Sequence, residues 1–348
     1  INILRLEKLI CNNTRISCFD HLIYLKELNC NGCPVTSINL PNLMKLRCDF
    51  SSIADLKNST SLVSLHMVIR SNLSFKIPNP TRLTDLHCSF VPENLDEVVN
   101  LTSLTLYDLS PDRVRIPHFP KLRTFINITT TLFDYSNLDK LKMLCIGFFN
   151  KNKYIDLVNL EALNCNNNKH IETVDNLINL RILSCSDCIR LTSINLKNLN
   201  ILECRHSNIS SFDELINLKE LNCSYSKYVT SINLPKLEHL QCDYTNVMFV
   251  NNSFNLKTLH CFNCPIKYLK LPKLEELYCD NSKIKEVNNL TKLKYLCCNN
   301  CSIKEINLPN LLFLSCYNTR VSVENIKNLK KLYPKLMIIA ALGVKNKK

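Results

Sequence analysis

Cysteine pairs with CxxC spacing are the residues of this sequence most able to do chemistry. They are Cys30/Cys33, Cys185/Cys188, Cys261/Cys264 and Cys298/Cys301. Thiols at this spacing bind zinc or exchange disulfides. Zinc needs four ligands about 2.3 Å from one ion, so two pairs would have to converge. The elements that carry the cysteines decide whether they can.

Those elements are repeats. The pattern LxxLxC, as in Leu218 to Cys223, returns every 18 to 21 residues from Leu6 to Leu311 and gives seventeen copies, with a degenerate eighteenth predicted at Leu329. We number each repeat from its first leucine, so that the cysteine is position 6. Thirteen of the 20 cysteines occupy this position. A single unit of this length cannot bury its apolar side chains, and stacked neighbours can.

The extended unit LxxLxCxx(S/T/C/N)xIxxI, seen from Leu199 to Phe212, resembles the leucine-rich repeat with cysteine in place of the third leucine. Short cysteine-laddered repeats of this composition are similar to those of giant DNA viruses and amoebae. The resemblance implies a mainly β solenoid, horseshoe-shaped or arced, with a parallel sheet on its concave side. It also implies a binding scaffold rather than an enzyme, although a fold does not fix a function.

The repeat pattern predicts a structural role for the CxxC pairs. The first cysteine is position 6 and the second is position 9, the turn position, where Thr14, Ser207 and Thr245 stand in other repeats. Parallel strands lie about 4.8 Å apart, so the pairs at Cys261 and Cys298 would be about 10 Å apart. This favours packing over zinc binding or disulfide exchange.

Other catalytic signals are weak. Three glycines in 348 residues exclude a glycine-rich phosphate loop. His66, His87 and His260 share position 5, and we interpret them as solvated side chains on the sheet. We therefore predict no enzyme activity, no cofactor and no metal site.

Prolines such as Pro41 and Pro235 follow the strands and block helix interiors, so we expect little helix on the convex side. From Val323 to Leu332 the pattern predicts a helix, and from Lys335 to Ile339 a last strand. The predicted domains are therefore a repeat array over 1–321 and a cap with a basic tail over 322–348.

Cysteine content and hydropathy indicate the cellular compartment of the protein. A ladder of free thiols is safer in a reducing compartment, and no apolar run is long enough to span a bilayer. We predict a monomeric cytoplasmic protein, in the host cytoplasm if the source is viral. The chain begins at Ile1 without a recognisable cap, so one alternative is that it is the recognition part of an adaptor with a further domain upstream.

The net charge of +13 raises the alternative of a nucleic-acid or anionic-surface binder. The outward positions of the seventeen repeats hold 11 Lys or Arg and 14 Asp or Glu. Because these outward positions carry a net negative charge, the excess of positive charge is predicted on the convex side, the rims and the tail. A basic convex surface is usually a solvated face, which disfavours nucleic acid.

Aromatic side chains are the better binding signal. In the C-terminal half, with His206 and His239 beside them, the outward positions carry Tyr225, Tyr244, His260, Phe262, Tyr278, Tyr295 and Tyr317. Such residues dominate interface hot spots, although they could instead merely cover neighbouring strands. The sequence therefore predicts a protein-protein interaction scaffold whose concave face binds a protein partner.

Overall fold

The computed structural model describes residues 5–51, 53–56, 58–68, 75–107, 117–128, 135, 137–147 and 152–340. The chain divides into two compact units, Ile1–Asn164 and Cys165–Lys348. Each unit is a solenoid of stacked coils in which every repeat contributes a strand to a parallel sheet. The predicted mainly β architecture is confirmed, and the domain limits 1–321 and 322–348 stay a prediction.

The first unit contributes nine strands to a parallel sheet within the described residues. These strands are β1 Lys8–Ile10, β2 Glu27–Asn29, β3 Lys45–Arg47, β4 Ser64–Met67, β5 Asp85–Cys88, β6 Ser103–Tyr107, β7 Thr124–Ile128, β8 Met143–Ile146 and β9 Ala162–Asn164. Between strands, the described helical segments of this unit are the short 3-10 helices Pro80–Arg82 and Leu95–Glu97.

The second unit repeats this arrangement more regularly. Its elements are β10 Ile182–Ser184, β11 Ile201–Glu203, β12 Glu220–Asn222, β13 Ser231–Asn233, β14 His239–Gln241, β15 Phe249–Asn251, β16 Thr258–His260, β17 Glu276–Tyr278, β18 Tyr295–Cys297, β19 Phe313–Ser315, α1 Val323–Leu332 and β20 Met337–Ile339. Strands β13 and β15 form a separate two-stranded parallel sheet. The remaining strands form the main sheet of this unit.

Register places equivalent leucines side by side. Leu221 lies opposite Leu202 on one side and Leu240 on the other. Because side chains alternate along a strand, positions 4 and 6 point into the core and positions 3 and 5 point out. Leu221 and Cys223 are buried accordingly. Burying one leucine contributes about 1.5 to 3 kcal/mol, and stacking repeats this gain along the unit.

Position 8 of the repeat has an unusual backbone. It lies in the left-handed region, with positive φ, at Asn13, Gly32, Phe50, Asn167, Asp187, His206, Tyr225, Tyr244, Asn263, Asn281, Asn300 and Asn318. This conformation directs its N–H toward the following repeat. The Asn281 N–H, for example, donates to the Asn299 carbonyl at 2.9 Å. Asparagine and glycine tolerate left-handed backbone best, which explains their frequency here.

The C-terminal helix and strand are confirmed. Helix α1 begins after Ser322, whose hydroxyl accepts a hydrogen bond from the Asn325 N–H, a standard N-cap. Strand β20 then pairs with β19, placing Ile338 opposite Leu314. The degenerate repeat predicted at Leu329 is wrong, because Leu329 is buried within α1 and β20 supplies the next strand. The tail Lys345 to Lys348 lies outside the described residues.

Candidate functional site

The CxxC cysteines are packing residues in the structure. Each second cysteine reaches back to the ladder cysteine of the preceding repeat: the Cys264 thiol donates to the Cys242 carbonyl at 2.9 Å, and the Cys301 thiol to the Cys279 carbonyl at 3.1 Å. In other repeats a hydroxyl donates to the carbonyl of a ladder cysteine, as the Thr245 hydroxyl does to the Cys242 carbonyl oxygen at 2.7 Å. Position 9 is thus selected for a small donor that fills the turn.

Their acidity does not make these thiols reactive sites. Hydrogen bonds with the Cys242 and Cys279 thiols lower the pKa of Cys264 and of Cys301 to about 7. Burial raises the pKa of the ladder thiol Cys204 to about 12. Cys264 and Cys301 are nonetheless only 2% and 3% exposed, and a reactive cysteine needs access as well as a low pKa.

No group of three or more His, Cys, Asp or Glu side chains within the described ranges is arranged to hold a metal ion. The described part of the chain also contains no helix long and apolar enough to cross a membrane.

His66 and His87 of the first unit form a packed cluster instead of the solvated side chains that we expected. The rings of His66 and His87 stack with centroids 4.9 Å apart. His66 Nε2 lies 3.5 Å from Asp49 Oδ1, and His87 Nε2 lies 3.0 Å from Asp85 Oδ1. Both imidazoles are about three quarters buried, because neighbouring strands bring them together in register.

Burial and neighbouring groups shift the pKa values of His66 and Asp85 in this cluster. Burial lowers the pKa of His66, and the nearby Asp49 carboxylate only partly opposes this effect. Burial would raise the pKa of Asp85, but hydrogen bonds from His87 and Ser64 outweigh it and lower that pKa to about 2. Among the described residues, the imidazole of His87 is hydrogen-bonded to the Asp85 carboxylate, and no Ser, Thr or Cys side chain is hydrogen-bonded to either ring.

The predicted aromatic residues occupy two kinds of position. His260, Tyr278 and Tyr295 lie on strands as expected. The turns after the strands instead carry Tyr225, Tyr244, Phe262 and Tyr317. Their assignment to outward strand positions was wrong, because each strand of this region spans only three residues and ends before position 6.

The structure brings four rings into one row, which we call the aromatic ladder and define as His206, Tyr225, Tyr244 and Phe262. The first three rings are stacked, and Phe262 is tilted by 43° against Tyr244. Successive ring centroids lie 4.6, 4.8 and 5.3 Å apart. The Arg205 guanidinium lies 5.8 Å from the Tyr225 centroid, within cation-π range. A second stack on the sheet joins His260 and Tyr278 at 4.3 Å. Tyr295 and Tyr317 join neither stack.

Three members of the aromatic ladder, His206, Tyr225 and Tyr244, occupy the left-handed position 8, with φ of 53°, 65° and 57°. For a residue with a Cβ, this backbone costs roughly 1 to 2 kcal/mol. Asparagine suits the position better. Tyr225 and Tyr244 nevertheless remain 37% and 45% exposed, so a substantial part of each ring faces solvent. The sequence carries a readable signal for this position that was missed, because Asn, Asp or Gly stands two residues after most of the ladder cysteines.

No protein-family model and no curated protein matches the sequence. Solved structures do match it. YopM from Yersinia enterocolitica aligns over 90% of this chain and 78% of its own, with a TM-score of 0.66 at 19% identity. The functional domain of InlJ from Listeria monocytogenes, which includes a cysteine ladder, aligns over 90% of this chain and 75% of its own, with a TM-score of 0.50 at 19% identity.

The protein has the leucine-rich repeat fold. A further leucine-rich repeat structure, the effector protein YopM from Yersinia pestis, aligns over 84% of this chain and 77% of its own, with a TM-score of 0.53 at 18% identity. Identities this low establish the architecture only. The role of this leucine-rich repeat chain therefore has to be argued from its own surface.

Proposed function

We propose that this leucine-rich repeat protein is a non-catalytic scaffold that binds a protein partner. The partner would dock on the exposed sheet face of the unit 165–348 and on the turns beside it. The aromatic ladder and the His260 and Tyr278 pair form the centre of this surface, and Tyr295 and Tyr317 lie toward its border.

The observation that carries the proposal is the run of large rings at a strained backbone position. His206, Tyr225 and Tyr244 replace the favoured asparagine in three consecutive repeats. Stacking between rings returns about 0.5 to 1.5 kcal/mol per pair, which roughly balances the strain. A substantial part of the Tyr225 and Tyr244 rings stays exposed, so contact with a partner is a further physical reason for these rings. An outlier of this kind supports a functional hypothesis.

Chemistry also suits the aromatic ladder to protein recognition. Tyrosine and histidine rings offer large, rigid contact areas with a polar tip, and they lose little side-chain entropy on binding. Stacking fixes the orientation of each ring before the partner arrives, which lowers the ordering cost of association. A partner that covers several adjacent repeats would contact all four rings together.

We further propose a monomer in a reducing compartment such as the cytoplasm. Twenty cysteines are free thiols and most of them are buried, which suits an environment that keeps thiols reduced. Oligomeric state and compartment can be measured by light scattering and by microscopy of tagged protein.

Affinity purification with matched variants tests the binding proposal. The double variant Tyr225→Asn, Tyr244→Asn removes two rings but keeps a residue that other repeats use at the same backbone position. Phe50→Asn is the control, because Phe50 occupies position 8 of a repeat in the first unit and is 60% exposed. We expect one or more proteins to be retained by the wild type and by Phe50→Asn but lost from the double variant.

Titration of the wild type and of each variant with the recovered protein then measures the loss of binding affinity. Loss of a central anchor costs about 2 kcal/mol or more, which corresponds to about a thirtyfold weaker affinity. If every retained protein binds the double variant as tightly as it binds the wild type, the aromatic ladder is not the recognition surface.

A further inference from the structure

A row of cations lies at the opposite end of the same strands from the aromatic ladder. Arg181 and Lys219 occupy position 2 of their repeats, and Lys236 and Lys273 directly precede the first leucine of theirs. All four side chains are exposed. They line two adjoining grooves that share Lys219 and Lys236. We call Arg181, Lys219, Lys236 and Lys273 the cationic row.

Asparagine side chains hold part of this row in place. The Lys236 ammonium donates to Asn217 Oδ1 at 2.6 Å, and the Lys273 ammonium donates to Asn255 Oδ1 at 2.7 Å. Each asparagine is itself fixed, because its Nδ2 donates to a carbonyl of the preceding repeat, Lys197 at 2.8 Å or Pro235 at 2.9 Å. An ammonium has three donors, so each lysine retains donors for a ligand.

The acidic side chains of this edge do not neutralise the row. Glu238 pairs with Lys257, and Glu275 pairs with Lys294 at 2.7 Å. No member of the cationic row forms an ion pair with a described residue. Four exposed cations that form no ion pair with a described residue therefore lie along one side of the repeats from Arg181 to Lys273, while the carboxylates of Glu238 and Glu275 are already paired with other lysines.

We propose that the cationic row binds an extended acidic segment of the partner protein. The inference rests on the proposed function and adds the chemistry of one part of the partner. From Arg181 to Lys273 the row crosses five strand spacings of about 4.8 Å, or about 24 Å, and an extended peptide covers this length with about seven residues. Carboxylates on alternate residues of such a segment would face the lysines.

An acidic peptide fits this edge better than a nucleic acid. Single-stranded nucleic acid binds where aromatic rings offer stacking platforms along a basic groove, and neither groove is lined by an aromatic residue. The rings of the aromatic ladder stack on one another at the other end of the strands.

Fluorescence anisotropy of a labelled peptide of eight glutamates, titrated with the full chain, tests the proposal. The triple variant Lys219→Gln, Lys236→Gln, Lys273→Gln should bind about tenfold more weakly, because it removes three of the four cations that would pair with the carboxylates of the peptide. The control Lys227→Gln, Lys267→Gln, Lys283→Gln makes the same charge change at exposed lysines away from the row, and it should bind within about twofold of the wild type.

Three results would overturn the inference: no binding of the peptide, equal weakening by both triple variants, or tighter binding of an eight-nucleotide oligothymidylate through the same lysines. The Tyr225→Asn, Tyr244→Asn variant keeps the two proposals separate. It should bind the glutamate peptide like the wild type, because its substitutions lie at the other end of the strands. A partner that depends on the tyrosines but not on the lysines would leave the proposed function intact and refute this inference.

Discussion

Tyr244 and Asn281 occupy the same left-handed position two repeats apart, with φ of 57° and 58°. Tyr244→Asn should change the free energy of unfolding by less than about 0.5 kcal/mol, because relief of left-handed strain offsets the lost ring stacking. Asn281→Tyr should lower it by about 1 kcal/mol, because its equivalents Asn263 and Asn300 offer no ring to stack on. Urea denaturation of both variants measures the difference. Equal destabilisation would contradict the account of position 8.

The buried face of β12 gives a second prediction. Leu221→Ala should lower the free energy of unfolding by about 2 to 5 kcal/mol, as for other large-to-small core substitutions. Glu220→Ala, the control on the exposed side of the same strand, should change it by no more than about 0.5 kcal/mol. Similar losses of stability in chemical denaturation would refute the inward and outward assignment.

Thiol labelling should separate three classes of cysteine. Cys18 is exposed and should react first with iodoacetamide. Cys145 and Cys297 are partly exposed, and burial raises the pKa of both thiols, so they should react more slowly. Ladder thiols such as Cys204 and Cys223 should react only after unfolding. Mass spectrometry of timed samples resolves the classes, and early modification of the ladder would be incompatible with the buried stack.

The His66 cluster predicts a pH dependence. Because burial lowers the pKa of His66 below its ordinary 6.5 in the folded chain, protonation favours the unfolded state. The stabilisation is therefore present above about pH 6.5 and is lost as the pH falls below that value. Arg47 and the stacked His87 oppose the added charge, whereas Asp49 and Asp85 attract it.

Thermal melts at about pH 7.5 and about pH 5.5 measure this effect. Wild-type protein should lose more stability between the two conditions than His66→Phe, which keeps a stacked ring but cannot titrate. An unchanged pH dependence in His66→Phe would exclude His66 as the titrating group.

The sequence by itself determined the repeat, the inward leucines and cysteines, and the C-terminal helix. Each follows from local periodicity, since side chains alternate along a strand and a solenoid contact involves only neighbouring repeats. The sequence also predicted that the CxxC cysteines pack in the repeats, because comparing Cys264 with Thr245 shows that both occupy position 9.

Only the tertiary structure decided how the outward side chains are grouped. Repeat counting assigned Tyr244, Phe262 and Tyr278 to one surface. The strands are only three residues long, however, so β14 ends at Gln241 and Tyr244 lies in the following turn with a left-handed backbone. Its ring therefore lies beside the rings of Tyr225 and Phe262 in the neighbouring turns. The pairing of Lys236 with Asn217 and of His66 with Asp49 likewise depends on side-chain directions across the stack. Periodicity fixes which residues face outward, but the twist and length of each strand fix which of them meet.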